Sequence, residues 1–187
     1  MRLFVEEVRL GKRDRREDAE KGSKGLLDDP ELGAVISEDE PLLGYGAFAI
    51  TDNLTLLYTH RYLHEVARSE AERSAVQGAP FCVVLAELTA VAEINEADGY
   101  AAGDEAIKDV AGCVQRTAVR HGASAARMSG RRLALIVPEA GDERAQAIAE
   151  EINTEVGGRH AVRFASACWA AGESGEDVLA RARGGLA

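Results

Sequence analysis

Residues 123–137 read Ala123-Ser124-Ala125-Ala126-Arg127-Met128-Ser129-Gly130-Arg131-Arg132-Leu133-Ala134-Leu135-Ile136-Val137. Two short strand-like segments, 123–128 and 133–137, flank the tetrapeptide Ser129-Gly130-Arg131-Arg132. Segments this close are joined by a tight turn, so the stretch predicts an antiparallel hairpin. Working outward, 81–88 is a nearly continuous apolar run with Val83 and Val84, which fits a buried strand. Residues 160–170 alternate at Val162, Phe164 and Ser166 and form a further strand. Helical spacing covers 56–76, through Leu57, Leu63, Val66 and Ala67, and 90–97. A long amphipathic helix runs from Gly103-Asp104 through Ile107, Val110 and Val114 until His121-Gly122 stops it. Another spans 142–156 and ends at Gly157-Gly158, and a last one starts near Gly175-Glu176-Asp177. The order helix–strand–helix–helix–strand–strand–helix–strand–helix predicts an α/β (α+β) layered fold, a central mixed sheet flanked by helices.

The chain has 187 residues and a net charge of −10, which suits one domain with an extension, or two very small domains. A hydrophobic share of 46% supplies a core and excludes wholesale disorder. No apolar run reaches the roughly 18 residues that a membrane-spanning helix needs. Charges occupy the N-terminus where a signal peptide is apolar, so a cytoplasmic protein is expected. A pI near 4.9 argues against a nucleic-acid binder. Residues 1–41 stand apart: eight Lys/Arg and twelve Asp/Glu fall there, in blocks such as Lys12-Arg13-Asp14-Arg15-Arg16-Glu17-Asp18. They read as a charged leader or linker with one short element near 3–10, followed by a domain over 42–187. Cys82, Cys113 and Cys168 are odd in number and far apart, each in an apolar setting, which predicts three reduced, buried thiols.

Four segments carry a family resemblance. Asp52-Asn53-Leu54-Thr55-Leu56-Leu57-Tyr58-Thr59-His60-Arg61-Tyr62-Leu63 is similar to the D-x-L-T-G-L-Y-N-R-R-Y-F opening of GGDEF domains, the diguanylate cyclase family. Residues 93–104, Glu93-Ile94-Asn95 through Gly103-Asp104, resemble the family's K-x-I-N-D-x-x-G-H-x-x-G-D segment. Residues 127–134 fall where the family has R-x-G-G-D-E-F-A. Residues 165–170 and 176–182 resemble its S-x-G-x-A strand and D-x-L-L-x-x-A-D helix. All four lie in the family's order and spacing from Asp52 onward. The resemblance implies a sheet flanked by helices, similar to the palm of nucleotidyl cyclases.

The resemblance breaks at the chemistry. Diguanylate cyclases join two GTP molecules, and Mg²⁺ neutralises the developing charge through carboxylate ligands. The family supplies these from a D-x-D at the end of the first strand and from the acidic pair of the hairpin. Here the D-x-D positions are Glu87 and Thr89, and the hairpin acids are Arg131 and Arg132. A cation about 4 Å from a unit charge of the same sign costs roughly 4 kcal/mol at an effective dielectric near 20, and Mg²⁺ doubles that. No metal is therefore expected, with Glu87 the residual carboxylate, and no cofactor. Ala92 stands where the family has a phosphate-contacting lysine, and Ser129 replaces the first glycine of the signature hairpin Ser129-Gly130-Arg131-Arg132. The inhibitory-site pattern R-x-x-D reads Arg120-His121-Gly122-Ala123, so no tight cyclic-di-GMP site is expected.

Asn95 and Asp104 match the family's guanine-reading residues, and such a pair can bond the N–H and carbonyl edge of guanine. The same residues can also serve the backbone: Gly103-Asp104 opens a helix where Asp is a favoured cap, and Asn suits a helix end. Arg131 and Arg132 can grip a phosphate or an acidic surface without metal, or form a soluble turn. His60 and His64, four apart, have metal-ligand spacing or an exposed helical face. Trp169 reads as core packing or a lid on a sheet edge. The reading is a catalytically inactive GGDEF-like domain acting as a regulatory, dimerisation or protein-interaction module in bacterial signalling. The alternative is a GTP sensor working through Asn95 and Asp104 without cyclisation.

Overall fold

The computed structural model describes residues 50–186, part of one compact unit, Ala47–Ala187. The leader expected over 1–41, with its element near 3–10, lies outside the described residues. Nine elements follow in the predicted order: α1 (His60–Gln77), β1 (Cys82–Leu88), α2 (Val91–Asp98), α3 (Tyr100–His121), β2 (Ser124–Ser129), β3 (Arg132–Val137), α4 (Asp142–Val156), β4 (Val162–Cys168) and α5 (Gly175–Gly184).

The four strands form one sheet in the order β2-β3-β1-β4. All three ladders are antiparallel. The mixed sheet expected from the sequence is thus reduced, among the described residues, to one parallel bridge between Tyr58 and Ala126. Tyr58 N–H donates to the Ala125 carbonyl at 3.0 Å and its own carbonyl accepts from Arg127 at 2.8 Å. The physical reason is connectivity: the helical crossovers from β1 to β2 and from β3 to β4 each step over one strand, and the strand between is entered antiparallel to both.

β1 lies in the middle of the sheet and all seven of its residues are buried, as its nearly continuous apolar run, interrupted by Glu87, predicts. Alternate residues feed two cores. Val84, Ala86 and Leu88 face α3 and α4 through Val110, Val114, Ile148 and Ile152. Val83 and Leu85 face α1 and α5 through Leu63, Ala67, Val178 and Leu179. Glu87 continues the second row, on the α1/α5 side of the sheet.

α1 starts at His60 rather than Leu56. Thr59 caps it, its side chain accepting from the Tyr62 amide, and the preceding residues are held in a turn. Asp52 Oδ1 accepts from the Thr55 amide at 2.9 Å and the Thr55 hydroxyl at 2.8 Å. Leu56, at the glycine position of the family's opening motif, has φ 61°, a left-handed conformation costly for a side chain with a Cβ. α3 starts at Tyr100, four residues before Asp104, with Gly99 as its cap.

Two further expectations are corrected. The register of β1 against β4 puts Cys82 opposite Cys168, and the two are joined as a disulfide. Only Cys113, buried in α3, is the free thiol expected. His64 is half-buried and pairs through Nδ1 with Glu176 at the start of α5. It ties two helices together rather than decorating an exposed face. Among the described residues, no group of three or more His, Cys, Asp or Glu is placed to hold a metal. Trp169, partly buried against the second core, follows edge strand β4 and donates from Nε1 to the Glu173 carbonyl at 2.7 Å.

Candidate functional site

The β2–β3 hairpin closes where the sequence places it. Gly130, with φ 34°, makes the turn that a Cβ would strain. Arg127 fastens it from inside: its Nε and Nη2 donate to the Gly130 carbonyl at 2.9 and 2.8 Å. Its Nη1 reaches both oxygens of Asp52, at 3.2 and 3.3 Å. Asp52 therefore holds its own turn and, through Arg127, the hairpin tip.

Strand register then assembles a row of charge across three strands. Glu87 of β1 is opposite Arg132 of β3 and Arg163 of β4. Glu87 is only 1% exposed. Its Oε1 accepts from Arg132 Nε at 2.9 Å and Arg131 Nε at 3.3 Å, and its Oε2 from Arg163 Nη2 at 2.6 Å. Burial pushes the Glu87 carboxyl up, but the hydrogen bonds from Arg163 and Arg132 outweigh it and hold the group below its ordinary value. A buried carboxylate is costly unless paired, and here three guanidinium groups pair it. One acid and three bases leave a local charge of +2.

Where the resemblance leads one to expect metal ligands, a single carboxylate is bonded by three guanidinium groups. Both oxygens of the one carboxylate are committed to arginines, and the second D-x-D position is turned away. The Thr89 amide and hydroxyl both donate to the Ala161 carbonyl, at 2.9 and 3.3 Å. These residues do not fit a bound Mg²⁺. Arg131 and Arg132 do not form a free soluble turn, since both fold back onto Glu87. Ser129, the last residue of β2, is exposed opposite Arg132. Arg163 was not singled out from the sequence. Its alternation pattern was visible, but its partner lies 76 residues away.

Asn95 and Asp104 lie on α2 and α3. Asp104 is exposed in the second turn of α3, so it does not cap that helix. Asn95 Oδ1 is buried and has no hydrogen-bond partner among the described residues. It sits over Gly103, where a Cβ would lie 1.9 Å from it. The backbone-serving role that the sequence allowed for the two side chains is thus absent from both; only the Asn95 backbone carbonyl serves the helix end, accepting from Gly99 at 3.0 Å. Arg120 of the broken R-x-x-D pattern is engaged with Glu151 and Glu155 of α4 at 2.7 Å each, and links α3 to α4.

Four antiparallel strands, helices on both faces and a turn-fastened hairpin at the end of the central strand define a GGDEF-type domain. The chain belongs to that family: the family model for "Diguanylate cyclase, GGDEF domain" matches residues 49–164. The probable diguanylate cyclase DgcT of Escherichia coli (strain K12) is 26% identical over 105 residues, which take in 56% of this chain and 23% of that protein. The chain thus matches about a quarter of that relative's length. Among solved structures, the GGDEF domain of DgcB from Caulobacter crescentus in complex with c-di-GMP aligns with a TM-score of 0.71 at 26% identity, covering 74% of this chain and 85% of that one. The diguanylate cyclase SiaD from Pseudomonas aeruginosa, in complex with its activator SiaC, shares the fold at a TM-score of 0.66 and 22% identity, over 77% of this chain and 60% of that one.

Proposed function

We propose that this GGDEF domain has lost diguanylate cyclase activity and serves as a regulatory, dimerisation or protein-interaction module in cytoplasmic bacterial signalling. Residues 1–41 act as its charged leader or linker, and 42–187 as the domain. One observation carries the reading: Glu87, at the family's metal-ligand position, is buried and bonded by Arg131, Arg132 and Arg163. Phosphoryl transfer in this family depends on a metal to neutralise charge and orient the attacking hydroxyl. A cationic row removes the ligands and repels the ion. A partner-regulated role agrees with SiaD, whose structure contains its activator SiaC. The missing acid of R-x-x-D, with Arg120 held by Glu151 and Glu155, supports the absence of a tight c-di-GMP site.

The test is incubation of the full chain with GTP and Mg²⁺ or Mn²⁺, with chromatographic detection of products. The expected outcome is no c-di-GMP; its formation overturns the reading. The second reading, a GTP sensor, is favoured by the unpartnered Asn95 Oδ1 and by Asp104 standing free of any capping role. It predicts guanine-specific binding in calorimetry, with ATP as control, that Asp104→Ala abolishes.

A further inference from the structure

Each arginine around Glu87 spends only part of its hydrogen-bonding capacity there. A guanidinium has five N–H donors. Arg131 and Arg132 engage Glu87 through Nε alone, and Arg163 through Nη2 alone. Among the described residues, both terminal amines of Arg131 and Arg132, and Nη1 of Arg163, have no partner. The three side chains are 44%, 37% and 53% exposed, so these donors meet solvent while their Nε or Nη2 ends are anchored.

Anchoring matters because a free surface arginine loses rotamer freedom when it grips a ligand. Here Glu87 has already fixed three of them, and Arg127 and Asp52 have fixed the hairpin that carries two. The result is a +2 island on a chain whose net charge is −10. Planar forks on a local positive field suit phosphate oxygens, which guanidinium groups bind in charge-assisted, often paired hydrogen bonds.

We propose that Arg131, Arg132 and Arg163, organised by Glu87, form a site for phosphate oxygens that works without a divalent metal. The guanidinium groups supply the positive charge that a metal would otherwise bring. The ligand class is a small polyphosphate-bearing anion. The inference rests on the reading that no metal binds at Glu87, and its test is separable from the turnover test.

The experiment titrates the full chain with inorganic triphosphate by calorimetry, in EDTA and then in excess Mg²⁺. One site in EDTA is expected. Arg131→Ala/Arg132→Ala weakens it at least tenfold, since two charge-assisted forks are lost. Arg163→Gln, on a different strand, weakens it severalfold and covers the case in which the double variant unfolds. The proposal is overturned by no binding at millimolar triphosphate in EDTA, by binding that appears only with Mg²⁺, or by affinity unchanged in both variants. Failure in EDTA with no GTP turnover discards the phosphate site and leaves the inactive-domain reading standing. Failure in EDTA together with Mg²⁺-dependent turnover discards both.

Discussion

Glu87 and Leu56 each hold a conformation or charge state that their surroundings impose. Glu87 is stable as an anion only because three arginines surround it. Glu87→Ala leaves those arginines facing one another. It is expected to cost about 3 kcal/mol, the lower end for breaking a buried ion pair, because the arginines can rehydrate. A urea melt reads this directly. Because the folded carboxyl is held below its ordinary value of 4.5, its contribution is complete above that pH and is lost as pH falls through the folded value. Glu87→Gln, which cannot titrate, is expected to flatten the loss of melting temperature below about pH 4.5 relative to the wild-type chain; an equally steep loss would contradict the assignment. Leu56 is 76% exposed with φ 61°. Leu56→Gly relieves about 1–2 kcal/mol of left-handed strain against about 0.5–1 kcal/mol of added chain entropy. A net gain of about 0.5–1 kcal/mol in denaturant stability is therefore expected.

At the scale of elements, the approach of α5 to α1 decides how tightly the second core closes. A Cβ added at Gly175 would lie 2.4 Å from the Ala67 carbonyl carbon and 2.7 Å from the Arg68 amide nitrogen. Backbone cannot swing aside as a side chain can, so Gly175→Ala must part the helices and is expected to cost at least about 2 kcal/mol. Gly112, within α3, is the control. Its added Cβ would meet only the Arg116 guanidinium, at 3.2 Å, and that side chain is 55% exposed. Gly112→Ala is expected to stabilise by about 0.5–1 kcal/mol through helix propensity. Parallel thermal melts of the two variants should move in opposite directions. Neither effect is visible in the sequence, where Gly175 reads only as the start of a helix and Gly112 as one position inside another.

For the whole molecule, the Cys82–Cys168 bond closes a loop over a sequence separation of 86 and joins the central strand to an edge strand. By the chain-entropy account such a closure contributes roughly 4–5 kcal/mol. The non-reduced, denatured chain is expected to titrate with one thiol, Cys113, and the reduced chain with three. Reduction should also lower the melting temperature. Three thiols without reductant would restore the reading made from spacing alone.

Element type and order were legible because burial imposes its own period: a nearly continuous apolar run for β1, and 3.6-residue spacing for the helices around it. α4 was read to the residue because Asp142 and Gly157 bound it at both ends. The start of α1 was misread because Leu56 and Leu57 continue an apolar pattern while Asp52 and Thr55 form a side-chain-locked turn. The four hairpin residues were legible as a family signature, and their reversed charge was legible with them. Their partners were not. Sequence by itself determined which residues carry charge, which are apolar, and hence the layers of this domain. Only the tertiary structure decided that Glu87 faces Arg132 and Arg163, that Cys82 faces Cys168, and that Asp104 lies a turn inside its helix. These are matters of strand register and helix start, set by contacts between residues far apart in the chain, and local periodicity holds no record of such pairings.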